Sequence, residues 1–432
     1  MHSENQVKNI QDVHPEIRER FPLLDRDLFG NRRTYLNCGA GTLTVDFCIQ
    51  GMSNAVRTSH PMPGDVYPGE TATRDFHTKV RQMTADFINA ESYDEISFHF
   101  STTQALFNLA YALLPLVSPD ENVIVTDLDH MANVSPWERV LGEMRGCEIR
   151  RAAADEKGRL DTDQLLSLTD KKTRFFAVTL ASNAFGTLVP LREIISRVKK
   201  KSPRCWTCVD AVHHSVHGAV DVQAIGCDFL AFSGYKMFGP MLGILWGRKE
   251  WLEKARPYRV ETNKDTPPHS FEQGMLNNPV LAGFAGALEY LLWLGERIFP
   301  ADHLSTLSRR KIFSRVMEAV QKYDQSLSRI VLEEFRSLDP DKFTCFGITE
   351  LKEYDHRDPT FAFEISGMSA DTVKKHLWSR SKLQIGSGNH YSAAVYRVLK
   401  RSSLARASFC HYDTPETVRS FIQAVEELLE SG

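Results

Sequence analysis

The chain has 432 residues, 42% hydrophobic and 25% charged, proportions that exclude a collagen-like, wholly disordered or membrane-bundle protein. Its 52 basic and 55 acidic residues leave a net charge of −3, without the electrostatic footprint of a general nucleic-acid or anionic-membrane binder. The 8 cysteines are irregularly spaced, unlike a disulfide framework. The polar N-terminus lacks the apolar run of a secretory signal. The most apolar stretch, 280–294, contains Glu289 and falls short of the roughly 20 residues that span a bilayer. A reducing, cytoplasmic location is the expectation.

Residues 1–34 read as a polar lead-in with a short amphipathic helix at 15–21. The turn-rich run PMPGDVYPG at 61–69 precedes a helical pattern at 74–88. A strand is expected at 96–100, a helix at 102–114, a strand at 123–126, a helix at 136–144 and a strand or turn at 149–153. Helices at 161–169 and 191–200 flank a β-rich run at 175–180. Short apolar strands follow at 206–210, 229–232 and 243–246, and 280–294 serves as a connecting helix. Beyond 297, helical patterns at 304–323, 370–379 and 415–429 alternate with strands at 360–364 and 406–410. Short apolar strands alternating with helices of about 10–15 residues describe an α/β fold, a mainly parallel sheet sandwiched by helices. The expected division is an N-terminal segment 1–34 packing on a small domain, a large domain 35–296 and a smaller C-terminal α/β domain 297–432.

The strongest chemical signal is FLAFSGYKMFGP at 229–240, an apolar strand that ends by presenting Lys236. A lysine desolvated at a strand mouth has a lowered pKa and a nucleophilic amine. Upstream, WTCVD at 206–210 closes another apolar strand with Asp210, a costly place for a carboxylate unless a cation meets it. His130 stands at a strand-to-helix junction, where an imidazole can stack on a flat ring. Ser101, Thr102 and Thr103 open a helix after a strand, a ready phosphate cradle. Taken singly, each has a plain structural reading: surface lysine, helix cap or core histidine. Together they supply an imine-forming lysine, a carboxylate, a stacking group and phosphate donors at strand ends of one sheet, the set that pyridoxal 5'-phosphate requires.

The chain resembles fold-type I pyridoxal phosphate enzymes of the class V aminotransferase group, on the cysteine desulfurase-like branch. The resemblance spans roughly residues 35–425 and rests on DHMANVSPW at 129–137, ASNAFGT at 181–187, DAVH at 210–213, DVQAIGCDF at 221–229, SGYK at 233–236, FEQG at 271–274 and RAS at 406–408. It implies that Lys236 carries the cofactor as an imine and later moves the substrate's α-proton. It implies further that Asp210 pairs with the pyridine nitrogen, that His130 stacks on the ring and that His213 and Asn183 lie near its phenolic oxygen. Thr102, Thr103 and Ser233 then hold the phosphate, with Tyr235 among the cofactor contacts. Arg406 clamps the substrate carboxylate as a guanidinium fork, and Asn183, Asn389 and Tyr391 complete the substrate side. A homodimer is expected from the same resemblance.

The chain also departs from that pattern. Where desulfurases carry a mobile cysteine, GSGNHYS at 386–392 places Tyr391, and no cysteine lies between Cys345 and Cys410. A phenol cannot hold a persulfide. Gly386 replaces an arginine of that segment, Tyr235 stands where many relatives have histidine, and Met275 stands where relatives place a threonine that reaches the partner's phosphate. Cys205 and Cys208 are spaced to point to opposite faces of a strand, and His213, His214 and His217 show no nearby carboxylate in the sequence; no metal is expected. The leading expectation is β-elimination that splits the C–S bond of an S-substituted cysteine, a small-molecule amino-acid substrate. Transamination, oxidative deamination or decarboxylation, then epimerisation, are the alternatives within the enzyme class. A catalytically silent scaffold in a sulfur-transfer complex is the non-enzyme alternative, against which Lys236, Asp210 and His130 together argue. Neither nucleic acid nor membrane is an expected partner.

Overall fold

A computed structural model describes residues 7–59, 62–155 and 157–430. Residues 1–6 of the lead-in and Pro61 of the turn-rich run lie outside the described residues. The strands, in chain order, are β1 (Thr34–Tyr35), β2 (Ile96–His99), β3 (Asn122–Thr126), β4 (Glu148–Ala152), β5 (Thr173–Thr179), β6 (Trp206–Asp210), β7 (Phe229–Ser233), β8 (Gly243–Gly247), β9 (Phe343–Phe346), β10 (Thr360–Ile365), β11 (Leu383–Gln384), β12 (Gly386–Gly388) and β13 (Leu404–Ser408).

Seven of them form a central sheet in the order β2-β8-β7-β6-β5-β3-β4. Strands β3 to β7 pair in parallel, while β8 is antiparallel to both β7 and β2. The reversal has a simple cause. Nine residues, 234–242, connect β7 to β8, too few for the crossover of a dozen or more that a parallel return needs. Strands β2, β3, β5, β6 and β7 therefore end at one edge, and their following loops converge there. Burial on both faces explains why β6, β7 and β8 read as continuous apolar runs, with every residue buried.

Two helices depart from the sequence reading. Asp46–Thr58 is a helix where the sequence reading placed none, and it packs through Cys48, Met52 and Ala55 against the long helix Asn278–Ile298. The helix expected at 304–323 instead begins where the Ser308 hydroxyl accepts from Lys311 N–H, and runs Arg309–Phe335. A four-stranded antiparallel sheet, β12-β13-β10-β9, forms the second layer system. The lead-in meets the C-terminal part of the chain beside that sheet: β1 and β11 form a separate parallel pair, and His14 Nε2 lies 3.0 Å from the His411 carbonyl.

No helix among the described residues is long and apolar enough to cross a membrane.

Candidate active site

A cavity of about 1010 Å³ opens between the strand ends of the central sheet and the loop 386–392. Lys236, in the single turn Gly234–Lys236 after β7, lines it while only 6% exposed. Its ammonium donates to the Gly39 carbonyl. Burial, with the Arg406 charge second, lowers the Lys236 pKa to about 7. Asp210 ends β6, and its Oδ1 accepts the Val212 N–H at 2.9 Å. Burial pushes this carboxyl up to about 6, against the opposing pull of that amide and of Lys236.

His130 begins the turn Met131–Asn133, its Nδ1 accepting from Ala132 N–H at 3.0 Å. Burial, then Lys236 and Arg406, lower it to about 4, so the ring is neutral. A neutral, planar imidazole suits stacking. Tyr391 already lies against it, ring centroids 5.4 Å apart and planes within 30°. Asp129 next to it is fully buried and pushed up to about 7 by that burial, while it accepts from the Asn133 amide at 2.7 Å.

Thr102 begins the helix Thr102–Leu113; its hydroxyl donates to the Phe232 carbonyl at 2.8 Å and lies 2.6 Å from the Ser233 hydroxyl. Thr103 lines the cavity beside it, and the first amides of any helix lack intrahelical partners. Gly243 passes directly beneath: a Cβ there would sit 2.5 Å from Thr102 N and 2.2 Å from Ser101 C. Only glycine lets β8 run this close to the helix start.

From the other side, Arg406 in β13 is buried and lines the cavity, Nη1 donating to the Asn183 carbonyl at 2.5 Å. Asn183 uses its side chain too: Nδ2 donates to His390 O at 2.7 Å, and Oδ1 accepts the Ser392 hydroxyl at 2.8 Å. It ties the guanidinium to the loop that carries Tyr391. Asn389 and Tyr391 are exposed cavity residues, with Tyr391 N–H donating to Asn389 Oδ1 at 3.0 Å. Tyr235 borders the cavity with Lys236 Nζ 5.6 Å from its ring centroid.

The class-V aminotransferase family profile matches residues 34–307 and 311–421. The chain belongs to this family. It is 29% identical over 427 residues to a cysteine desulfurase of Pectobacterium carotovorum subsp. carotovorum (strain PC1), covering 95% of this chain and 97% of that one. It is 30% identical over 438 residues to a cysteine desulfurase of Yersinia pestis (strain Pestoides F), covering 96% and 98%. In structure it resembles an apo cysteine desulfurase of Thermococcus onnurineus NA1 with a TM-score of 0.84 at 23% identity, over 99% of this chain and 100% of that one. A cysteine desulfurase of Escherichia coli superposes with a TM-score of 0.79 at 22% identity, over 96% and 98%. At those identities the two structures establish the fold, fold-type I. This class-V chain is thus a pyridoxal phosphate-dependent enzyme of the cysteine desulfurase-like group.

The residues present fit that cofactor. The buried Nε2 of His213 and the buried Nε of Arg406 have no hydrogen-bond partner among the described residues. Asp210 is a buried carboxylate whose one hydrogen bond is to a backbone amide, the situation a pyridinium cation relieves. A buried lysine amine whose pKa is lowered to about 7 completes the set.

Sequence reasoning missed several cavity residues: Asn37, Gly39, Phe107, Lys374 and His390. The run NCGAG at 37–41, following a short strand, was the available signal for the first two. It also found no carboxylate for the histidines after β6. The fold supplies two: Asp358 lies 3.0 Å from His214 Nδ1, and Asp324 lies 2.7 Å from His217 Nδ1. Those carboxylates hold His217 well above its usual pKa despite burial, whereas burial and His217 together drive His213 well down. His213, His217 and Asp358 each bring one ligand-capable atom within 4.8 Å of the others, but both carboxylates already face imidazole N–H groups. Cys205 and Cys208 belong to opposite sides of the sheet, each buried with its thiol pushed up by that burial.

Proposed function

We propose that this enzyme is a C–S lyase that splits S-substituted cysteines by β-elimination. The observation that carries the reading is the absence of a thiol at the cavity: all 8 cysteines are described, and none lines it. Cys38, the closest in sequence to a lining residue, is buried with its thiol on the Phe409 carbonyl at 3.0 Å. Position 391 holds an exposed phenol instead. A chain without an acceptor thiol cannot take sulfur from cysteine as a persulfide, whereas elimination needs none.

When bound, pyridoxal phosphate supplies an electron sink that makes the bonds at the substrate's Cα labile. Lys236 would hold the cofactor, and its amine would take the substrate's α-proton; a pKa near 7 suits a base at neutral pH. Asp210 would keep the ring nitrogen protonated, His213 would serve the phenolic oxygen, His130 would stack on the ring, and Thr102, Thr103 and Ser233 would hold the phosphate. Arg406 receives the α-carboxylate. The Tyr391 phenol gives its proton to the departing sulfur. Overall, a conjugate and one water yield a thiol, pyruvate and ammonium.

The same reading includes three further elements. The division into 1–34, 35–296 and 297–432 places the cavity between a large and a small lobe. A second copy of the chain covers the edge beside Thr102, where Phe100 and Met241 are 75% and 78% exposed around an apolar cleft lined by Phe98, Leu242, Leu276 and Leu281. The 8 free thiols suit a cytoplasmic setting.

The test is direct. Purified holoenzyme given S-alkyl cysteines releases pyruvate and thiol in equal amounts, and free cysteine plus reductant gives no sulfide above that route. A ketoacid that retains the whole carbon skeleton replaces the reading with transamination.

A further inference from the structure

The cavity carries one cation that none of these roles uses. Lys374 stands on the helix Ala370–Ser381 and lines the cavity, its side chain exposed. It makes no hydrogen bond or ion pair among the described residues. Asp371, one turn earlier on the same helix, accepts the Ser387 hydroxyl at 2.6 Å instead. Among the described residues no aspartate or glutamate lines the cavity, whereas Lys236, Lys374 and Arg406 do. A concave wall of one sign concentrates ions of the other.

The strand between the elements that carry the two outer cations is built of small residues. In β12, Gly386 pairs with Arg406, and Ser387 and Gly388 continue past it. The helix Ala370–Ser381 packs on this strand. A Cβ at Gly386 would lie 2.9 Å from Asn37 Oδ1, so no larger residue fits there without displacing Asn37. The resulting track of small residues leaves room for a side chain far longer than that of cysteine, within a cavity of about 1010 Å³. Burial above all, then the charges of Arg406, Lys236 and Lys374, holds the His390 ring neutral, and its buried Nε2 is unpartnered among the described residues. It adds a neutral polar group along the track rather than a competing anion.

We propose that Lys374 is a specificity-determining residue that receives a terminal carboxylate on the substrate's S-substituent, so that the preferred substrates are cysteine conjugates with an anionic tail. This rests on the lyase reading for the cysteine core and on Arg406 for the α-carboxylate. The ammonium acts as a point charge at the rim, and its contribution is that of a partly solvated ion pair.

Two probes of nearly equal shape test it: S-(2-carboxyethyl)-L-cysteine and its uncharged amide, S-(2-carbamoylethyl)-L-cysteine. Affinity is read from the cofactor absorbance of the holoenzyme, and turnover from thiol release. The holoenzyme favours the carboxylate by about fivefold, and the preference shrinks as salt screens the pair. Lys374→Met removes the preference while both probes still shift the cofactor absorbance, which reports that the variant is folded. Lys374→Glu reverses the preference. Equal affinities in the parent enzyme, or a preference that survives Lys374→Met, overturn the proposal. A preference seen in absorbance with no thiol released from either probe overturns the lyase chemistry and leaves the role of Lys374 standing.

Discussion

The two walls of the cavity are built on different physics. On the central-sheet side, Lys236 lines the cavity, and Asp210, His213, Thr102 and Ser233 are buried behind that lining at strand ends and the loops after them. Burial there displaces protonation, taking the lysine down to about 7 and the aspartate up to about 6. On the opposite wall, the loop 386–392 exposes Asn389 and Tyr391, and His390 and Tyr391 both adopt left-handed backbone, φ 50° and 60°. Such conformations hold in non-glycine residues only where neighbours fix them, and here Asn183, Met131 N–H and Asn389 do so. The first wall sets reactivity by desolvation, and the second sets selection by shape and backbone anchoring.

Substitutions on the first wall break the enzyme hardest. Lys236→Ala abolishes the visible cofactor band and lowers turnover by at least about 1000-fold, as removal of a reacting group does; a retained band refutes the assignment. Asp210→Asn lowers turnover by about 100-fold or more while stabilising the cofactor-free chain. The sign follows from the raised pKa. Protonation favours the fold, so the penalty on Asp210 is absent below its unfolded value of 3.8, grows between there and about 6, and is complete above. A shift of this size is on the order of 3 kcal/mol. The gain of Asp210→Asn over the parent in denaturant melts is therefore present at pH 8 and fades towards pH 4.

Lys236 sharpens the same wall through pH. With a pKa near 7 its amine is half free at neutrality, against roughly 1 part in 3000 for an unperturbed lysine. Capture of the aldehyde by the cofactor-free chain rises through pH 7 and levels off by about pH 9. A midpoint near that of a solvated lysine sinks the desolvation argument. The second wall gives smaller effects. Asn183→Ala loosens the loop and lowers kcat/KM about 10-fold with a loss of about 1 kcal/mol of stability, and Tyr391→Phe changes denaturation by less than about 0.5 kcal/mol.

The first wall was far more legible in the sequence than the second. A charged residue at or just after the end of an apolar strand marks a place where chain pattern and chemistry coincide; Asp210 ends β6 and Lys236 closes the turn after β7. Parallel strand direction then brings their ends together. The reversed direction of β8 was not legible, because it follows from connection length rather than from any residue in the strand. Asp324 and Asp358 reach their histidines across 107 and 144 residues of chain, and nothing local marks either as a partner. Lys374 and His390 likewise enter the cavity only because the antiparallel sheet folds back onto the central one. The helix Asp46–Thr58 was hidden by Gly51, Ser53 and Asn54, which weaken its helical signal.

The two histidine–aspartate pairs have a mechanical consequence. Asp324 and Asp358 belong to the C-terminal part of the chain, while His214 and His217 follow β6, and all four side chains are buried. Prising the two parts apart would leave two dry carboxylates stranded, a steep energetic barrier to any wide hinge motion. Traffic into and out of the cavity is then left to the exposed turn at 389–392, which Asn183 and the Met131 N–H hold from the central-sheet side.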